Sequence, residues 1–166
     1  ERVCTTSRTS GGPRDKHNLV TLSRWPIARH RQIRHELVAP PLHRPIAGAA
    51  TDAAPIVADR PPGAIEWERP ILHTAIRVGG GLLHVVNVHL RAPRAAFIAG
   101  QKDDRHAWRT MAAWAEGFYL AAVKRVGQAL ETRLLIDALF DADVEARIVV
   151  AGDFNADSHE IPLRTI

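Results

Sequence analysis

Cysteine is nearly absent from this chain, which has Cys4 and no second cysteine among its 166 residues. An intrachain disulfide and a zinc site built from cysteines are therefore excluded. No stretch approaches the roughly 20 apolar residues that a membrane-spanning helix needs, and no apolar signal-peptide core follows the start. The chain begins with Glu1 instead of methionine, so we expect the native start to be missing, and localisation stays open.

Lysine is also scarce, since only Lys16, Lys102 and Lys124 among the 22 basic residues are lysines. With 18 acidic residues the formal net charge is +4. Arginine suits bidentate contacts with phosphate, but genome composition is the simpler explanation of an arginine-rich and alanine-rich chain. The hydrophobic fraction of 46% and the charged fraction of 24% indicate a globular protein, and the length corresponds to one domain. We expect it to be a monomer.

The clearest local pattern is a β-hairpin. Two β-rich runs, 71–78 and 82–90, flank the cluster Gly79-Gly80-Gly81, which supplies the positive φ angles of a tight turn. Upstream, residues 18–23 alternate as a strand does, and residues 32–38 do so more weakly. The polar segment 1–17 and the segment 40–62, which contains six prolines, predict a loop and a long surface excursion.

After Arg94 the hydrophobic period changes from two residues to about 3.6, which predicts helices. We expect a first helix capped by Asp103 or Asp104, a break or a kink at Gly117, and a second helix over 118–140. The apolar positions are Trp108, Met111, Ala112 and Ala115 in the first helix, and Val123, Val126, Leu130 and Leu134 in the second.

The segment 147–152 is a short and almost wholly apolar strand, which is typical of a sheet buried on both faces. It delivers Asp153 and Asn155 to one face of an extended segment, because strand side chains alternate. This pair could hold a hard cation or a phosphate-bound water. Asx turns or a helix cap are an equally good interpretation of the same spacing.

His89 ends the run 82–90 and has Val88 and Leu90 on the opposite face. A histidine there can act as a general acid or stabilise charge on a phosphate, although a hydrogen-bonded structural role is the commoner one. Asn87 has the same parity as His89, and packing against a backbone group is its simpler role. His84 lies on the other face and is interpreted as solvated or structural.

The order of four sequence blocks is more specific than any single block. These are Leu22-Ser23-Arg24-Trp25-Pro26-Ile27, Arg69-Pro70-Ile71-Leu72, Val86-Asn87-Val88-His89-Leu90 and Gly152-Asp153-Phe154-Asn155-Ala156. In this order, across residues 18–160, the chain resembles the endonuclease/exonuclease/phosphatase superfamily.

The resemblance implies an α/β fold, in which two mixed sheets pack face to face with helices outside, as a four-layer α/β/β/α sandwich. It implies a Mg²⁺ or Mn²⁺ phosphoesterase with Asp153 and Asn155 on the metal and the attacking water, and with His89 supporting the phosphate. Arg69 resembles a phosphate-contacting arginine, and Asn18 lies near a polar site position.

Two elements of that family are missing. We find no metal-binding glutamate in a Gln-Glu context before the Leu-Ser-Arg block, and no closing Ser-Asp-His motif. Ser158-His159-Glu160 is not that motif, because it follows Asn155 too closely to lie on a separate strand. We therefore expect residues 1–166 to be one truncated domain, incomplete at both ends, that binds metal weakly and catalyses poorly or not at all.

The parent protein is predicted to hydrolyse a phosphoester, as a nuclease, phosphodiesterase or phosphatase. Nucleic acid, a phospholipid headgroup and a small phosphoester all remain possible substrates. The alternative is a non-catalytic module that keeps the fold and uses its arginines to bind a polyanion or a protein partner.

Overall fold

The computed structural model describes residues 1–6, 12, 18–45, 61–104 and 106–166. Its elements, in chain order, are β1 (Arg2–Cys4), β2 (Val20–Leu22), β3 (Ile27–Ile33), β4 (Leu42–His43), β5 (Gly63–Ala64), β6 (Ile71–Val78), β7 (Gly81–His89), α1 (Met111–Ala142), β8 (Arg147–Asp153) and α2 (Ile161–Thr165).

A four-stranded mixed sheet in the order β3-β6-β7-β8 forms the centre of the protein. The predicted hairpin is confirmed, because β6 and β7 pair antiparallel with Val78 opposite Gly81. The pairing of β7 with β8 is parallel. Parallel neighbours need a long crossover connection, and α1 lies within that connection.

The two faces of this sheet are covered differently. On the inner face, α1 contributes Leu135 and Leu139 to a core with Ile71 and Val86. On the outer face lies the β1–β2 ribbon, where Asn87 Nδ2 donates to the Val20 carbonyl at 3.1 Å. The predicted α/β class is confirmed. The helix α1, the central sheet and the β1–β2 ribbon form successive layers, which are compatible with the predicted sandwich.

The expectation that the last strand is buried on both faces is wrong. Ile148 and Val150 pack against the core, whereas Val149 on the outer face is 46% exposed. β8 is the edge strand of the sheet, and the ribbon contacts of the outer face that the structure describes fall on β6 and β7. An apolar run cannot by itself distinguish a strand covered on both faces from one covered on a single face.

The expected pair of helices is one continuous helix, so the predicted break at Gly117 is wrong. Thr110, not Asp103 or Asp104, caps α1, and its side chain accepts a hydrogen bond from Ala113 N. Gly117 lies inside the helix at a point where the segment around Ala96 packs closely against it. A Cβ there would come within 2.9 Å of the Ala96 carbonyl oxygen.

The predicted apolar face of the helix is also wrong. Met111 is 74% exposed and Leu130 is 40% exposed. The helix buries polar side chains instead, among them Glu131, which is fully buried. Glu131 accepts hydrogen bonds from Trp67 Nε1 at 3.1 Å and from Glu36 N at 2.9 Å. A hydrophobic pattern cannot reveal a polar residue that is buried because it satisfies backbone and indole N–H groups.

The predictions for three further segments, two loops and one strand, have different outcomes. In the segment 1–17, Arg2–Cys4 is a strand paired with β2, and 7–11 and 13–17 lie outside the described residues. The strand expected over 32–38 is instead the end of β3, after which the chain bends through His35, whose φ is 59°. In the excursion 40–62, residues 46–60 lie outside the described part, and its flanks form the β4–β5 ribbon.

In the part of the chain that the structure describes, no helix combines the length and the apolar character required to cross a bilayer.

Candidate functional site

His89 and Asp153 are brought together at one edge of the central sheet. They are register partners at the carboxyl ends of β7 and β8. Because the two strands are parallel, their carboxyl ends meet at the same edge. His89 Nε2 lies 3.5 Å from Asp153 Oδ2 on the outer face of the sheet, and the Asp153 side chain is 60% exposed. A protonated imidazole would therefore form an ion pair with an accessible carboxylate.

Gly152 makes this pairing sterically possible. Its φ is +137°, and a Cβ at this position would overlap the backbone of Val88 on the neighbouring strand. Only glycine combines this dihedral angle with so close an approach of two backbones. The glycine before Asp153 is thus required by the geometry of the strand pair.

Asn155 closes a turn around the Asp153 carboxylate. Its backbone N donates to Asp153 Oδ1 at 2.9 Å, and its φ of 49° is in the left-handed region that asparagine tolerates better than most residues. The Asx-turn interpretation is therefore confirmed for Oδ1, while Oδ2 of the same carboxylate faces His89. The structural and the chemical interpretation of Asp153 are compatible.

The carbonyl of Leu90, the residue after His89, connects the predicted residues. It accepts hydrogen bonds from Asn155 Nδ2 at 2.9 Å and from Arg69 Nη1 at 3.1 Å. One amide hydrogen of Asn155 is used in this contact, so the other hydrogen and Oδ1 are left for water or phosphate. The structure thus gathers four predicted residues: His89, Asp153, Asn155 and Arg69.

Asn18 contacts Thr5, which lies outside this group of four residues. Its Oδ1 accepts a 3.4 Å hydrogen bond from Thr5 Oγ1, and it lies two residues before Val20 on the outer face. Its part in substrate binding stays a prediction. Asn87 donates to the Val20 carbonyl, which confirms the simpler role expected for it, packing against a backbone group.

Two residues that the sequence did not suggest support the turn. Arg125 of α1 donates from Nη1 to the Asn155 carbonyl at 2.8 Å and lies 3.4 Å from Glu160 Oε2. Its side chain is only 15% exposed. The available signal was an arginine between two valines, Val123 and Val126, of the expected apolar stripe. Such a buried arginine ties the helix to the Asp153 turn.

The donor set around Asp153 fits a hard divalent ion in kind. Asp153 and Asn155 line an open depression of about 430 Å³, and carboxylate and amide oxygens are the ligands that Mg²⁺ and Mn²⁺ prefer. Within the residues that the structure describes there is no group of three His, Cys, Asp or Glu side chains able to hold a metal. An ion here would depend on water and substrate oxygens for most of its ligands.

The inner face of the hairpin carries a second, very different histidine pair. His84 is buried, which confirms a structural and not a solvated position, and its Nδ1 lies 2.9 Å from His73 Nε2. Burial, followed by the positive charges of His84, Arg31 and Arg29, lowers the pKa of His73 to about 4. Burial and Arg29 also lower the pKa of His84, against the attraction of Asp143. Both imidazoles are therefore neutral at pH 7.

Fold and site together place the chain among α/β proteins with polar residues at the carboxyl edge of a mixed sheet. The chain is similar to the crystal structure of sphingomyelinase C from Streptomyces griseocarneus, with a TM-score of 0.51 and 21% sequence identity. The match covers 96% of this chain and 39% of the sphingomyelinase chain, so the chain spans well under half of that protein. No family model matches the sequence, and no curated protein matches it.

Proposed function

We propose that this chain carries part of the active site of a divalent-metal-dependent phosphoester hydrolase. The observation that carries the proposal is the His89–Asp153 pair, 3.5 Å apart at the carboxyl ends of two parallel strands. A carboxylate and an imidazole on an exposed edge are the groups that general acid–base chemistry requires. The fold shared with a sphingomyelinase supports this choice, since sphingomyelin contains a phosphodiester.

The side chains divide the chemistry among them. Asp153 Oδ2, which the Asx turn leaves unused, would orient the attacking water and accept its proton. Asn155 would align the same water through its Oδ1 while its amide group stays anchored on the Leu90 carbonyl. His89, whose Nε2 lies 3.5 Å from Asp153 Oδ2, would bind a phosphoryl oxygen.

Mg²⁺ or Mn²⁺, when bound through Asp153 and Asn155, would offset negative charge on the phosphate and the leaving oxygen. Arg69 would stabilise the same charge from the side of β6, because its guanidinium contacts the Leu90 carbonyl next to Asn155. Asn18 would contribute a polar contact to the substrate. We propose that the catalytic unit is a single domain, that it includes more residues than 1–166, and that it acts as a monomer.

The substrate class that the likeness favours is a phosphodiester, with a lipid headgroup as the first candidate. Nucleic acid and small phosphoesters are the other candidates. The net charge of +4 suits any of these anions and does not select among them.

The test is Asp153→Ala in the full-length protein, assayed with Mg²⁺ on bis(p-nitrophenyl) phosphate, sphingomyelin and single-stranded DNA. We expect a loss of about 100-fold or more on the preferred substrate, in line with the contribution of a general base. Asp141→Ala, an exposed carboxylate on α1, is the matched control and should retain activity. Activity of the Asp153 variant within tenfold of the parent would disprove the assignment.

The coding sequence that flanks these residues gives an independent test. An upstream metal-binding glutamate and a downstream Ser-Asp-His motif would support catalysis. An intact reading frame without both would favour the alternative, a module that binds a polyanion or a partner through its arginines.

A further inference from the structure

A cavity of about 310 Å³ lies between β3, β6 and the C-terminal half of α1, on the inner face of the sheet. Its volume is at the lower end of the range of small-molecule sites, about 300 to 1,000 Å³. Leu135, Leu139 and two alanines of the helix form an apolar wall, and Arg29, Arg31 and His73 face them. This cavity is separated from Asp153 by the sheet itself, since Asp153 lies on the outer face.

The arginines at this cavity lack close counter-charges. The side chain of Arg29 has no hydrogen bond or ion pair with any residue that the structure describes. Arg31 lies 3.9 Å from Glu36, and both side chains are about half exposed. A guanidinium without a tight partner is a strong donor to a carboxylate or phosphate. Two cations without tight counter-charges therefore line the cavity.

His73 adds a buried polar group to the same space. The residue is 3% exposed, and its Nε2 is engaged with His84 Nδ1 at 2.9 Å. No hydrogen bond to Nδ1 is found among the described residues. A ring nitrogen inside a protein ordinarily has a partner, so Nδ1 is available to a molecule in the cavity.

We propose that this cavity binds a small amphipathic anion, whose carboxylate or phosphate head contacts Arg29, Arg31 and His73 and whose short apolar tail packs on Leu135 and Leu139. The apolar wall favours such a molecule over a bare inorganic anion, because water released from the leucine surface adds to the affinity. The site is independent of the proposed phosphoesterase activity.

The charges around His73 provide a specific readout. The charged and titratable groups that act on the histidine pair are Arg29 and Arg31 from β3 and Asp143 beyond the end of α1, whereas His30 lies on the opposite face of β3. Arg29 and Arg31 help to keep the pKa of His73 near 4. An anion bound between them would offset their charge, so binding is expected to raise the pKa of His73 by about one unit or more.

The experiment is an NMR titration of the full chain with octanoate, which follows the imidazole signals of His73. Octanol, which has the same chain length but no charge, and inorganic phosphate, which has no tail, are the matched probes. We expect saturable octanoate binding at pH 7, a raised pKa of His73, and at least tenfold weaker binding of octanol and of phosphate. Equal binding of octanoate and octanol would overturn the role of the arginines, and equal binding of phosphate would overturn the role of the leucines.

Three variants complete the test. Arg29→Gln combined with Arg31→Gln should weaken octanoate binding at least tenfold, and Ala138→Phe should block it by filling the cavity without changing its charge. Arg133→Gln, an exposed arginine paired with Asp137, is the control and should bind octanoate as the parent does. Unchanged binding in the folded double variant, or no saturable binding by the folded parent, would refute the proposal.

Discussion

The two histidine pairs of the central hairpin differ in nearly every physical respect, although His84 and His89 lie on the same strand. His89 faces outward and lies 3.5 Å from an exposed carboxylate. His84 faces inward, is buried and lies 2.9 Å from a second histidine. Because side chains alternate along a strand, residues 84 and 89, an odd number of positions apart, point to opposite faces of the sheet. The difference shows that two histidines of one strand can lie in opposite environments, one beside an exposed acid and one in the protein interior.

The outer pair joins a histidine to an acid, and the inner pair joins two histidines whose pKa values are both lowered. His89 faces an exposed carboxylate, whereas burial, followed by His84, Arg31 and Arg29, lowers the pKa of His73. We therefore expect the outer pair to affect phosphoester hydrolysis and the inner pair to affect stability.

Replacement of His89 should show the strongest contrast between the pairs. His89→Gln in the full-length protein is expected to lower kcat/KM for the preferred phosphodiester by about 100-fold to 1,000-fold, because a charge-stabilising group is lost. His84→Gln should change kcat/KM less than about threefold, since its side chain lies on the opposite face. Steady-state kinetics of both variants measures the contrast, which fails if the two variants lose activity equally.

Gly152→Ala should damage the outer site through its backbone. The added Cβ would overlap the backbone of Val88, so we expect a loss of about 3 kcal/mol or more in the free energy of unfolding. Gly100→Ala is the matched control, because Gly100 also has a positive φ, 78°, but has open space around it. Its cost should be about 1 kcal/mol. Urea denaturation of both variants tests the difference, and equal losses would contradict it.

The inner pair should make stability depend on pH. The pKa of His73 falls from 6.5 to about 4 on folding. Between these two pH values the imidazole is protonated in the unfolded chain and neutral in the native protein. Stability is then highest above pH 6.5 and declines as the pH falls toward 4, by at most about 3 kcal/mol. His84 shifts in the same direction.

His73→Gln should remove much of this dependence, whereas His30→Gln, at an exposed histidine, should preserve it. Urea denaturation at several pH values between 4 and 7 gives the measurement. The assignment is wrong if the slope of stability with pH is the same in the parent and in His73→Gln.

Arg125→Met should have the smallest effect and should be local. It removes the 2.8 Å hydrogen bond to the Asn155 carbonyl, at a cost of about 1 to 2 kcal/mol. Amide hydrogen exchange should become faster over residues 153–160 and remain unchanged in β6. Arg133→Met removes an exposed ion pair with Asp137 and should cost less than about 0.5 kcal/mol. Uniformly faster exchange would show that Arg125 stabilises the whole domain and not the turn.

The sequence predicted best where the pattern is local. Alternation and three glycines predicted the hairpin, and an apolar run predicted β8. The resemblance pointed to His89, Asp153, Asn155 and Arg69, which the structure brings to one edge. That contact depends on the parallel register of β7 and β8, which neither strand specifies alone.

The failures arose where tertiary contacts override local patterns. Gly117 signals a helix break in isolation but accommodates the Ala96 carbonyl in the fold. A glutamate such as Glu131 is ordinarily exposed, but Glu131 is buried because its carboxylate accepts hydrogen bonds from Trp67 Nε1 and from two backbone N–H groups. Arg125 and the cavity at His73 could not be predicted either, because both depend on which faces of α1 and the sheet meet.

The parallel junction of β7 and β8 also has a kinetic consequence. The hydrogen bond from Asn155 to the Leu90 carbonyl joins residues that are 65 positions apart in sequence. Contacts of such long range form slowly, because the connecting chain must be ordered before they are gained. His89 therefore belongs to a hairpin that can form early, while its acidic partner arrives only after α1 has folded back along the sheet. During synthesis on the ribosome, the His89–Asp153 contact would remain unformed until β8 emerges.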